Sequence, residues 1–300
     1  MNKAQSILQA QGLPVRDANE LPASVKRFAD GGQYRIEIPS CEGPAAMRAV
    51  IAEAKERKVA IHRVSQGSGI MLQTDAEIRD MLALGRAHKM EVCLFVGPRA
   101  NWDTGVQAST LGGRVLGSSL RGADQLAFGV EDVLHGAALG LRSILVADLG
   151  HLKVLGEMKR HGDLPADFVL KVSVTLAAAN PASARLLEDL GATSINLPVD
   201  LPLAHIAAIR QAIDAPIDFY VEAPDDFGGT VRHYETAALV RVGAPIYLKY
   251  GLRNSPGLYP SGQHQEGLVA ALSRERVRRA AIGLALLHRH YPEAVASPCA

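Results

Sequence analysis

From residue 34 onward the chain alternates between two patterns. Short runs place an apolar residue at every second position; longer runs repeat one every three or four. The first pattern is that of half-buried strands and the second that of helices lying on them. The strand runs are "YRIEIPS" (34–40), "VAIHRVS" (59–65), "EVCLFVG" (91–97) and "SILVADLG" (143–150). "FVLKVSV" (168–174), "SINLPVD" (194–200), "IDFYVEA" (217–223) and "PIYLKYG" (245–251) complete them. Helices are expected over 43–58, 74–89, 125–139, 151–162, 181–191, 202–213, 232–242 and 264–290. Pro44 suits the first turn of one, and Thr74 with Glu77 forms the capping-box spacing of the next.

Eight strand–helix units in succession predict parallel βαβ units and an α/β fold, a (β/α)8 TIM barrel. A doubly wound open sheet is the alternative, but no GxGxxG follows the first strand. Residues 1–33 read as a helix-and-loop extension covering the barrel bottom, and residues 34–300 as one barrel domain.

Alternation also sorts the polar residues inside the strands. With Ile36, Ile38, Leu170, Val172, Phe219, Val221, Ile246 and Leu248 facing the helices, Arg35, Glu37, Lys171, Ser173, Tyr220, Glu222, Tyr247 and Lys249 face the lumen. His62 is expected inward with Arg63 at the rim, joined by Cys93, Asn196 and Asp148 from their strands. The first and eighth strands of a closed barrel are neighbours, so Lys249 is expected between Glu37 and Glu222. Barrel lumens are ordinarily filled by branched apolar residues, and buried charges are costly unless paired. So many ionisable groups predict either an ion network or an active site at the strand C-termini.

The assigned roles follow from chemistry. Glu222 and Glu37 are the candidate general base and acid. Lys249 stabilises developing negative charge, and Lys171 or Lys249 could form a Schiff base. Lys171, His62 and Asn196 position substrate; Arg63 and Arg253 bind its carboxylate. Asp148 and Asp225 are further binding candidates, Asp225 and Asp226 lying in the "DDFGG" loop. Glu222, His62 and Asp225 are the candidate ligands of a divalent metal, although no HExxH spacing is present. The long glycine-rich segment 98–124 reads as a lid or mobile insertion that brings Arg99 and Trp102 to the mouth.

Composition narrows the class. Net charge is +1, from 32 basic and 31 acidic residues, which argues against nucleic acid as a partner. No apolar run is long enough to span a membrane. Cys41, Cys93 and Cys299 form no CxxC pair, so a reducing cytoplasm is expected rather than a disulfide framework.

The stretch "SILVADLGHLKVLGEM" followed by "NPASARLLEDLGATSINLPVDLPLAHIAAIRQAI" resembles the collagenase-like peptidase family, unclassified peptidase family U thirty-two. The resemblance covers about residues 140–225 and implies a barrel. Members include peptidases, RNA-modifying proteins and proteins of quinone hydroxylation, the latter two with a cysteine cluster for iron and sulfur. Here the family's E-x-F-x-H-G-A-x-C is replaced by "DFYVEAPDDFGG", with Glu222 and Asp225 where a His and a Cys are expected. The cysteine cluster is missing, so no iron–sulfur centre is expected.

The sequence thus points to a barrel enzyme acting on a small polar or anionic metabolite by acid–base chemistry, as a lyase, isomerase or hydrolase. One alternative is a peptidase-family hydrolase dependent on a divalent metal. Another is a non-catalytic subunit that binds a partner through helix 273–291. A homo-oligomer is compatible with each.

Overall fold

The computed structural model describes residues 3–15, 21–103 and 105–298. Cys299 lies outside them. Eight parallel strands close into a barrel in sequence order, β1 pairing with both β2 and β8. They are β1 (Tyr34–Ile38), β2 (Arg63–Gln66), β3 (Glu91–Phe95), β4 (Ser143–Val146), β5 (Val169–Val172), β6 (Ser194–Asn196), β7 (Ile217–Glu222) and β8 (Ile246–Tyr250). The open-sheet alternative is therefore excluded. After α1 (Lys3–Ala10), the helices are α2 (Pro44–Arg57), α3 (Asp75–Ala87), α4 (Gly122–Ala138), α5 (Leu149–His161), α6 (Pro181–Asp189), α7 (Leu203–Ala212), α8 (Thr236–Gly243) and α9 (Glu266–His290).

Local sequence sets the helix starts. Pro44 opens α2, where its missing N–H costs nothing. At α3 the Thr74 hydroxyl accepts from Glu77 N while Glu77 Oε2 accepts from Thr74 N at 2.8 Å. Asn180 and Ser183 do the same for α6. The outward strand positions, among them Ile36, Val64, Leu94, Ile144, Leu170, Phe219 and Leu248, are all buried beneath this helical layer. Each such side chain contributes about 1.5–3 kcal/mol by leaving water.

Two segments near the ends of the chain, 28–35 and 295–297, lie against the barrel bottom. Phe28 packs edge-on to Tyr247 with ring centres 5.3 Å apart, and the Arg35 guanidinium covers the Phe28 face at 4.2 Å. Gln33 N donates to Val295 O, and Ser297 N donates to Tyr34 O. These contacts cover part of the lower opening.

Candidate active site

Inside the barrel the inward positions form two layers. The lower one is a charge network. Glu37 lies at its centre, hydrogen-bonded to Lys171 Nζ and 3.2 Å from Arg63 Nη1. Arg63 also donates to Asp218 Oδ1 at 2.7 Å and lies over the Tyr247 ring at 3.6 Å. Its Nε is 2.8 Å from Glu91 Oε1, an ion-pair contact out of hydrogen-bond alignment. Ser194 donates to Asp218, and Ser65 donates to Glu37 Oε1 at 2.7 Å. Burial alone would raise the Glu37 pKa. Lys171, Lys249 and Arg63 outweigh it and hold the carboxyl well below its ordinary 4.5. An acid so weakly basic is a counter-charge rather than a proton acceptor.

The upper layer opens to solvent. Lys249 Nζ is 3.7 Å from Glu37 Oε1, donates to Asn196 Oδ1 and lies 4.1 Å from the Tyr220 ring centre. Asn196 is itself fixed, donating to Val172 O at 2.6 Å. Above them is a cavity of about 650 Å³. Its floor includes Ser65, Asn196, Tyr220 and Lys249; its walls include Phe95, Arg99, Trp102, Arg114, Asp226 and Tyr259. Burial pushes the Tyr220 and Tyr259 hydroxyls above their ordinary 10, so both stay protonated. Tyr259 shares a short hydrogen bond with Ser40.

The structure therefore brings Glu37, Lys171, Arg63, Asn196 and Lys249 together in the lumen, but not the other candidates. Glu222 faces outward. A register shift between Tyr220 and Glu222 pairs Glu222 with Tyr250 instead of leaving it in step with Tyr220. Its carboxylate accepts from His233 Nε2 at 3.0 Å and Arg253 N at 3.1 Å, and lies 3.6 Å from Arg279 of α9. The expectation that Lys249 lies between Glu37 and Glu222 fails for the same reason. His62 and Arg63 exchange their expected places. Arg63 points inward, whereas His62 is at the barrel bottom, accepting from Ile36 N at 3.0 Å and contacting Ser297 O at 2.8 Å. The alternation in "VAIHRVS" changes phase between Ile61 and Val64, because only Arg63–Gln66 is regular strand.

Three more candidates are away from the cavity wall. Asp148 caps α5, accepting from His151 N, and also holds Leu120 N at 3.0 Å. Asp225 accepts from Asn254 N, tying the loop after β7 to the loop after β8. The Arg253 side chain is exposed. Glu222, His62 and Asp225 do not converge, and among the described residues no three His, Cys, Asp or Glu side chains are grouped to hold a metal ion. Segment 98–121 carries three short 3-10 turns, 100–102, 106–109 and 114–116, and supplies Arg99, Trp102 and Arg114 to the cavity.

Sequence reasoning passed over Asp218, Ser65 and Ser194. The signal for Asp218 was present: if Tyr220 faces inward, so does the residue two before it. Tyr259 comes from a loop after β8 and carries no periodic signal.

A family likeness covers one part of the barrel. Residues 123–223 match the model of Peptidase family U32. That segment, about a third of the chain, runs from α4 to the end of β7 and supplies Ser173, Thr175, Asn196 and Tyr220 to the cavity. Among curated proteins no sequence matches. Among solved structures, the YdjI aldolase from Escherichia coli K12 is 13% identical with a TM-score of 0.52, over 87% of this chain and 94% of that one. The U32 peptidase Mk0906 is 16% identical with a TM-score of 0.44, over 77% and 98%. At such identities the aldolase likeness speaks for the barrel fold. No helix among the described residues is long and apolar enough to cross a membrane.

Proposed function

We propose that the chain is a barrel enzyme of lyase or isomerase type, acting on a small oxyanionic carbonyl compound at the upper face. The observation that carries this reading is Lys249, a buried lysine whose amine meets the cavity floor between Asn196 and the Tyr220 ring. A cation fixed there donates to a carbonyl or carboxylate oxygen and stabilises the negative charge that develops on it when a neighbouring proton passes to the Asp226 carboxylate on the cavity wall. Tyr220 and Tyr259, kept protonated, are the proton donors on offer. Glu37, Lys171, Arg63 and Asp218 hold the floor beneath them in place.

The test is a ligand screen by thermal unfolding with small carboxylates, phosphates and oxo-acids. A ligand at ~100 times its dissociation constant adds about 2.7 kcal/mol to stability. Lys249→Met should abolish the shift. A ligand that stabilises this variant as much as the wild type removes Lys249 from the site. Borohydride added with an oxo-acid then separates two uses of the amine: a stable adduct on Lys249 means imine formation with loss of water, and none means a purely electrostatic role.

The U32 match favours a second reading, hydrolysis of peptide or amide bonds. It requires peptide turnover, with chelator sensitivity if a divalent metal takes part.

A further inference from the structure

Arg99 is the buried charged group on the cavity wall that neither the network nor Lys249 accounts for. It is only 6% exposed. Its guanidinium is sandwiched between Phe95, 3.5 Å from the ring centre, and Trp102, at 3.9 Å. One nitrogen, Nη2, donates to Gly67 O at 2.5 Å, while Nε is buried without a partner. Among the described residues no carboxylate forms a salt bridge with it, although Glu42 and Asp132 lie near enough to raise its pKa in part against burial. Burial draws its pKa down to about 10. A buried cation without a direct salt-bridge partner is costly, and a planar guanidinium whose donors are not all committed is shaped to take an oxyanion.

The position completes the argument. Arg99 follows β3, whereas Lys249 is on β8, with β1 and β2 between them on the shorter arc of the barrel. The two cations therefore reach the same cavity from different sides. Arg114 adds a third, against the single carboxylate, that of Asp226, which the described residues bring to the cavity wall.

We infer that Arg99 is a second anion-binding point, so that the ligand is a small metabolite with two separated oxyanion groups, one held by Lys249 and one by Arg99. This deepens the reading of the cavity as the substrate site and rests on it. The two aromatic rings fix the guanidinium plane, so the spacing of the two charges in the ligand is selected. Arg99 thereby sets specificity.

The experiment uses the full chain and two matched probe series: α,ω-dicarboxylates from malonate to adipate, and the monocarboxylates of the same carbon number. Binding is measured by calorimetry. One dicarboxylate length should bind about tenfold or more tightly than its monocarboxylate, the gain of one further charge-assisted contact. Arg99→Met should reduce that ratio to about one, and Arg99→Lys, which keeps the charge but not the plane, should restore part of it. A ratio near one in the wild type, or a ratio unchanged in Arg99→Met, overturns the Arg99 assignment while leaving Lys249 as an anion site. Absence of binding by either series overturns the cavity reading together with it. Should Arg99→Met fail to fold, the wild-type ratio and the Arg99→Lys ratio decide the matter alone.

Discussion

Glu37 and Glu222 look equivalent along the chain: each is a glutamate in a strand whose alternate residues are apolar, and each is buried. Their surroundings differ. Glu37 is inside the barrel, ringed by Lys171, Lys249 and Arg63. Glu222 is outside it, between β7 and the helical layer, held by His233, Arg279 and the backbone of Arg253. One inserted residue in β7 separates the two fates, since a single-residue slip exchanges the faces of a strand. The lumen glutamate organises the cavity floor; the outer one fastens the loop that follows β8.

The comparison can be broken from either side. The largest effect is expected at Glu37. Glu37→Gln leaves Lys171 and Arg63 buried with less counter-charge, and denaturant unfolding should show a loss of about 3–5 kcal/mol. Glu222→Gln weakens the charge-assisted contacts to His233 and Arg279 on the outer side of β7 and should cost about 1–2 kcal/mol, with ligand binding at the mouth within about twofold of wild type. A loss of binding in that variant would return Glu222 to the site.

Acid sharpens the same contrast. For both glutamates burial acts to raise the pKa and the named partners prevail, so both are lowered in the folded state. Between the folded and unfolded values the unfolded chain binds more protons, so this stability is present above the unfolded pKa and drains away as pH falls toward the folded one. A titration of unfolding free energy below pH about 4.5 should therefore slope upward with pH, and Glu37→Gln should flatten the slope more than Glu222→Gln. The smallest effect is expected at the barrel bottom: His62→Gln should cost about 1 kcal/mol through its two backbone contacts and leave anion binding unchanged.

The barrel itself was legible because the strands and helices differ in period, and that difference survives errors of a few residues. The lumen was legible wherever a strand ran without interruption: Glu37, Lys171, Asn196 and Lys249 all come from strands whose phase is constant. It was not legible at β2, where the apolar run begins before the ladder does, nor at β7, where the extra residue leaves no mark in composition. Asp148 and Asp225 illustrate a different limit. A carboxylate beside a strand end serves equally well as a helix cap or a loop clasp, and only the neighbouring N–H groups, unseen in the sequence, decide which.

The measurement that bears most directly on this account is ligand-induced stabilisation in three proteins side by side, wild type, Lys249→Met and Glu222→Gln, using the carboxylate that shifts the wild type most. The account predicts that Glu222→Gln keeps the shift and Lys249→Met loses it. Retention in Lys249→Met with loss in Glu222→Gln would move the site out of the lumen and contradict it.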